Sequence, residues 1–115
     1  MRKYFEIQLP IRTNEGQSYI CAHESFRELL LKIAGGFSQG QAVQGHWRDP
    51  ADGKVYIEEM TPYYVACDDH TFCRILQITY ELFPDQKAIA IAHIGHLAFV
   101  TKEAIAFPSA FFDQE

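Results

Sequence analysis

Apolar and polar residues alternate from Lys3 to Arg12, with Phe5, Ile7 and Leu9 on one side and Tyr4, Glu6 and Gln8 on the other. A period of two is the mark of a strand with one buried face. After a polar stretch from Thr13 to Gln17 the period changes. Phe26, Leu29, Leu30 and Ile33 fall at i, i+3, i+4 and i+7, and Gly35-Gly36 follows the last turn, which predicts an amphipathic helix over about Ala22–Ala34. Alternation returns from Gln41 to Arg48 and again from Lys54 to Glu58, on either side of Asp49-Pro50-Ala51-Asp52-Gly53. Turn formers between two alternating runs predict a β-hairpin. Its second arm is expected to run on to Ala66 with a break at Pro62, because proline has no N–H to give a ladder.

Asp68 or Asp69 is placed to cap a second helix, whose stripe is Phe72, Ile75, Leu76, Thr79 and Phe83 and whose run ends at Pro84. Lys87–Ala92 and Leu97–Thr101 are short apolar segments joined by His93-Ile94-Gly95-His96; they fit one kinked strand or two strands and a turn. The last stretch, Lys102–Glu115, mixes Ile105, Phe107, Phe111 and Phe112 with acidic residues. It is expected to pack on its own domain or on a partner subunit, since apolar side chains in such numbers mark contacts.

The order strand, helix, hairpin, helix, strand is the split β-α-β arrangement. Right-handed crossovers then put both helices on one face of an antiparallel sheet. The fold expected is therefore α+β, a ferredoxin-like sandwich, with residues 1–115 forming one domain. The face of the sheet opposite the helices is left for a subunit, a tail or a ligand to cover.

Within the hairpin, Gly45-His46-Trp47-Arg48-Asp49-Pro50, followed by Gly53, Lys54, Val55 and Glu58 or Glu59, resembles a small uncharacterised bacterial family. In that family a Gly-x-Trp-Arg strand and a glutamate-bearing partner strand follow a helix ending in glycine. The resemblance covers about Phe26–Val100. It implies the ferredoxin-like topology and no activity, and the phenylalanine-rich C-terminal stretch departs from it.

Composition narrows the functions. At 115 residues with 48% hydrophobic and 14% aromatic side chains, the chain has apolar surface enough for one core without a metal or disulfide staple. A net charge of −5, with ten scattered Lys and Arg, argues against nucleic acid and anionic membranes, which need clustered positive charge. No apolar run of spanning length occurs, and the Arg2-Lys3 start leads into alternation rather than into a signal-peptide core. Cys21, Cys67 and Cys73 make an odd count without Cys-x-x-Cys spacing, which fits free thiols and a cytoplasmic location. No phosphate loop, nucleophile elbow or zinc-protease motif is present, and no cofactor is implied.

Candidate chemistry rests on the hairpin. Closed symmetrically about its turn, it sets Trp47 opposite Val55, Gly45 opposite Ile57, His46 opposite Tyr56 and Gln44 opposite Glu58. Val43, Trp47, Val55 and Ile57 then face the helices, whereas Gln44, His46, Arg48, Tyr56 and Glu58 join Tyr4, Glu6 and Gln8 on the open face. His46 with Glu58 is a candidate acid–base pair, since imidazole titrates near neutrality and a carboxylate orients it. Gln44, Arg48, Tyr56 and Tyr64 are candidate ligand contacts; a solvated or dimer-buried sheet face has the same composition. Of Tyr63 and Tyr64, one must reach the open face. His93 and His96 do not suit a metal, because their spacing converges on a helix and not on a strand.

Three functions fit these residues. The first is a homo-oligomeric module, a dimer or larger, that binds a small ligand or serves an accessory role. The others are a small cofactor-independent enzyme of oxygenase or isomerase type using His46 and Glu58, and a protein-interaction factor such as an inhibitor or adaptor.

Overall fold

A computed structural model describes residues Arg2–Leu97. It contains β1 (Arg2–Pro10), α1 (Ile20–Ala34), β2 (Ser38–Gln39), β3 (Val43–Arg48), β4 (Val55–Cys67), α2 (Asp69–Leu82) and β5 (Ala90–Leu97). The fold is α+β, a five-stranded antiparallel sheet with two helices in the ferredoxin-like arrangement. The strands run in the order β2-β4-β1-β5, and β3 also pairs with β4. The phenylalanine-rich C-terminal stretch and Leu97–Thr101, apart from Leu97 itself, lie outside the described residues.

The alternation in β1 works as its pattern requires. Phe5, Ile7 and Leu9 are buried beneath the helices, together with Tyr63, Val65 and Cys67 of β4. The ladder sets Phe5 opposite Val65 and Ile7 opposite Tyr63. Phe26 and Leu30 of α1 and Phe72 and Ile75 of α2 close this core, with Phe72 stacked on Phe5 at 3.9 Å between ring centroids. Each helix has an end fixed by local chemistry. Gly35 takes a left-handed φ of 82° and its N–H bonds the Leu31 carbonyl after α1, while the Asp68 carboxylate accepts the Thr71 N–H at 2.7 Å at the start of α2.

Pro62 does not break β4, contrary to the sequence expectation. Its carbonyl faces the β2–β3 side, where it accepts the Gly40 N–H at 3.0 Å. In a strand the N position of a residue points the same way as its carbonyl, so the missing donor falls at the junction where β4 changes partner from β3 to β2. Gly40 is required at this crossing: a Cβ there would stand 2.9 Å from Pro62 Cγ.

β5 is one strand. Between the pairs Phe5–His93 and Lys3–His96 its register slips, because β5 uses one more residue than β1. This is a β-bulge, and Gly95 sits in it at a φ of 117°.

The hairpin differs most from expectation. β1 pairs with β4 only as far as Met60, with the Ile11 N–H reaching the Glu59 carbonyl just beyond, so most of β3 and residues 55–58 of β4 project beyond the sheet as a two-stranded arm. The register is also one residue from the symmetric closure: Trp47 pairs with Tyr56, His46 with Ile57, Gly45 with Glu58 and Gln44 with Glu59. The turn is the cause. The Asp49 N–H bonds the Lys54 carbonyl, and left-handed Gly53 returns its own N–H to the Asp49 carbonyl. Asp49 and Asp52 fix the loop by accepting the N–H groups of Ala51 and Lys54. A six-residue loop thus replaces the five-residue one read from the sequence.

Candidate functional site

That one-residue difference divides the candidate residues between two faces. Gln44, His46 and Arg48 share a face with Val55, Ile57 and Glu59. Tyr56 and Glu58 share the other with Val43, Gly45 and Trp47. His46 is exposed opposite Ile57, and Glu58 lies opposite Gly45 on the reverse side, so the structure does not bring the expected acid–base pair together. Arg48 is held in the turn, where its Nη1 donates to the Gly53 carbonyl at 2.9 Å.

Nor is Trp47 a core residue. It is 48% exposed and stacks on Tyr56 with centroids 4.8 Å apart and planes 19° from parallel. The Tyr56 hydroxyl points to Asp52, whose negative charge raises the phenol above its ordinary pKa. Val43, Val55 and Ile57 are exposed as well, so both faces of the arm carry apolar side chains in water.

On the sheet itself, Tyr64 does reach the open face, opposite Glu6 and 6.0 Å from the ring of Tyr4. Tyr63 is fully buried on the helix side. A shallow groove beside β1 is lined by Glu6, Gln8, Ala90, Ile91 and Ala92, with Gln8 donating to Glu6 at 2.7 Å. The bulge in β5 puts His93 and His96 on one side, their rings 5.9 Å apart. Simple alternation could not show that convergence. Among the described residues no third ligand joins them to make a metal cluster.

A second constellation lies under α1 and was not evident from the sequence. His23 extends the apolar stripe one turn before Phe26 and is buried. Its Nε2 lies 2.8 Å from the Pro10 carbonyl and its Nδ1 2.7 Å from the Tyr63 hydroxyl. The carbonyl can only accept, so Nε2 carries the proton and Nδ1 takes the Tyr63 hydroxyl proton. Arg27 Nη1 donates to the same hydroxyl oxygen at 3.3 Å. Burial lowers the His23 pKa and keeps the ring neutral, while burial raises that of Tyr63 against the pull of Arg27. The three side chains border an open groove of about 270 Å³. The only signal in the sequence was a histidine in phase with an apolar helix face.

No helix among the described residues is long and apolar enough to cross a membrane. No family model matches the chain, and no curated protein does. Solved structures do. The divalent cation tolerance protein CutA1 of Thermus thermophilus superposes with a TM-score of 0.63 at 16% identity, covering 92% of this chain and 93% of that one. The periplasmic divalent cation tolerance protein CutA of Archaeoglobus fulgidus gives 0.62 at 14%, over 96% and 97%. CutA1 from a psychrotrophic Shewanella bacterium gives 0.60 at 13%, over 94% of each chain. At such identities the chain shares with these proteins a fold, over nearly its whole length.

Proposed function

We propose that the chain is a homo-oligomeric accessory module whose β3–β4 arm docks on another copy. One observation carries this reading: Val43, Trp47, Val55, Tyr56 and Ile57 are all exposed on a ribbon that extends past the sheet. A two-stranded hairpin is marginal in water, and contiguous apolar surface of this kind marks a contact. Residues 55–58 of β4 also have no partner on their β1 side among the described residues, which leaves backbone groups free to pair. A second copy suits the arm because its polar rim carries both signs, Arg48 and Lys54 against Glu58 and Glu59, and closed homo-oligomers reuse such self-complementary patches. The Tyr4, Tyr64, Glu6 and Gln8 side of the sheet is then the surface left for a small ligand beside the interface.

The separation of His46 from Glu58 removes support from the enzyme reading. Size-exclusion chromatography with light scattering on the intact chain and on Ile57→Lys tests the proposal. Ile57 is 61% exposed, so the substitution spares the fold of a single copy. The wild type should elute at a multiple of the chain mass and the variant at the chain mass. A monomeric wild type, or an Ile57→Lys protein assembled like the wild type, overturns the reading.

A further inference from the structure

The geometry points to the open groove beside α1 as a binding site for a small organic monocarboxylate, held by Arg27. This inference is independent of the arm, because the groove is built from α1, β2, β4 and the chain after β1.

The groove is open to solvent, and at about 270 Å³ it is many times the share of one water molecule, about 30 Å³ in the liquid, so it has room for a small ligand. Its walls divide by chemistry. Ile11 and Ile20 supply apolar surface, and Arg27, Gln39, Thr61 and Tyr63 supply polar groups. Gln39 pairs directly with Tyr63 across the β2–β4 ladder, which aims both side chains to the helix side.

Arg27 decides the sign of the ligand. It is the one cation in the lining, and no lining residue is acidic. Among the described residues the sole ion pair is Lys3–Asp69, and no described carboxylate pairs with the guanidinium, although acidic residues outnumber basic ones in the chain. Tyr63 holds Arg27 by one N–H, and its own proton is committed to His23, which is anchored in turn on Pro10. The chain Pro10–His23–Tyr63–Arg27 therefore orients the fork, and most of its donors have no partner among the described residues. A planar fork with such donors matches a carboxylate in two-pronged fashion. Neutral His23 adds no second charge, which disfavours a phosphate dianion. Ile11 and Ile20 beside the fork offer apolar surface to a short apolar body on the ligand.

The test is an amide and Arg Nε–H NMR titration of the intact 15N-labelled chain with butyrate, its neutral isostere butyramide, and inorganic phosphate. Butyrate should shift the Arg27 Nε–H and the amides of His23, Gln39 and Tyr63 saturably, and butyramide should not. Arg27→Gln should weaken butyrate binding by at least about tenfold, the loss expected for a charge-assisted hydrogen bond. Arg27→Lys keeps the charge but not the fork, and should weaken it several-fold; it also serves if Arg27→Gln does not fold, which the same spectra reveal. The inference is overturned if butyrate shifts none of these resonances, if butyramide shifts them equally, or if a folded Arg27 variant binds as the wild type does. Stronger binding of phosphate than of butyrate overturns the carboxylate assignment.

Discussion

Replacing Tyr63 by Phe removes one hydroxyl from a site where its loss can be worked through atom by atom. The hydroxyl donates to His23 Nδ1 at 2.7 Å and accepts from Arg27 at 3.3 Å, and Tyr63 has no exposed surface. Arg27 is half-buried and regains its bond from water. His23, at 7% exposure, recovers little of its bond from water, and a buried acceptor left without a donor costs about 1–3 kcal/mol. We therefore expect Tyr63→Phe to lose about 2 kcal/mol near pH 7.5 in urea unfolding, a fall in Tm of roughly 8 °C for a domain of this size.

The pH dependence sharpens the test. Burial holds the His23 pKa below its ordinary value, with the Pro10 carbonyl opposing. The unfolded chain gains that proton near pH 6.5 and the folded one resists it, so His23 leaves stability whole above about 6.5 and erodes it as pH falls toward the folded pKa. The slope has an upper limit of about 1.4 kcal/mol per pH unit, and solvent in the adjoining groove keeps it below that limit. In Tyr63→Phe the Nδ1 lone pair is free to take the proton, so the folded pKa rises and the slope flattens. The difference between wild type and variant should shrink from about pH 7.5 to about pH 5.5. A cost below about 0.5 kcal/mol, or an equal cost at both pH values, would refute the assigned direction of the hydrogen bond.

Three further outcomes follow from the geometry. Gly40→Ala, whose Cβ would meet Pro62 Cγ at 2.9 Å, should cost about 1–3 kcal/mol in thermal unfolding. Gly36→Ala, with nothing within 4 Å, is the control and should be neutral or slightly stabilising. A thiol-reactive dye under reducing-agent-free conditions should label exposed Cys21 and Cys73 quickly and Cys67 only on unfolding, because burial pushes that thiol up to about 11; rapid labelling of all three contradicts this. In an alkaline absorbance titration Tyr19, raised to about 12 by burial and by its bond to Asp85, should ionise after the exposed phenols, and Tyr19→Phe should take one phenol out of that late phase, leaving the share of buried Tyr63.

Where burial enforces a period, the fold was legible. Phe5, Ile7 and Leu9 in β1, and the stripes through Phe26 and Phe72, identified their faces because a slip would put each set into water. The end of α1 at Gly35 and the cap at Asp68 followed from local chemistry. The hairpin was not legible in the same way. Its arm leaves the sheet, so no core checks the register, and the six-residue turn set by Asp49, Asp52 and Gly53 moved every cross-strand pair by one. That shift separated His46 from Glu58 and brought Trp47 onto Tyr56. Alternation likewise could not anticipate the bulge that aligns His93 with His96. His23 was hidden for a different reason: its role comes from Pro10 and Tyr63, which are remote in sequence and meet it only in the folded sheet.

The arm offers its own reporter, because Trp47 is the chain's single tryptophan and stands on the surface proposed to dock. Iodide quenching of its emission across a dilution series tests self-association at the residue concerned. The account predicts that Trp47 is shielded at high concentration, becomes accessible on dilution, and is accessible throughout in Ile57→Lys. Equal quenching of wild type and variant at every concentration, at the level of a free indole, would contradict it.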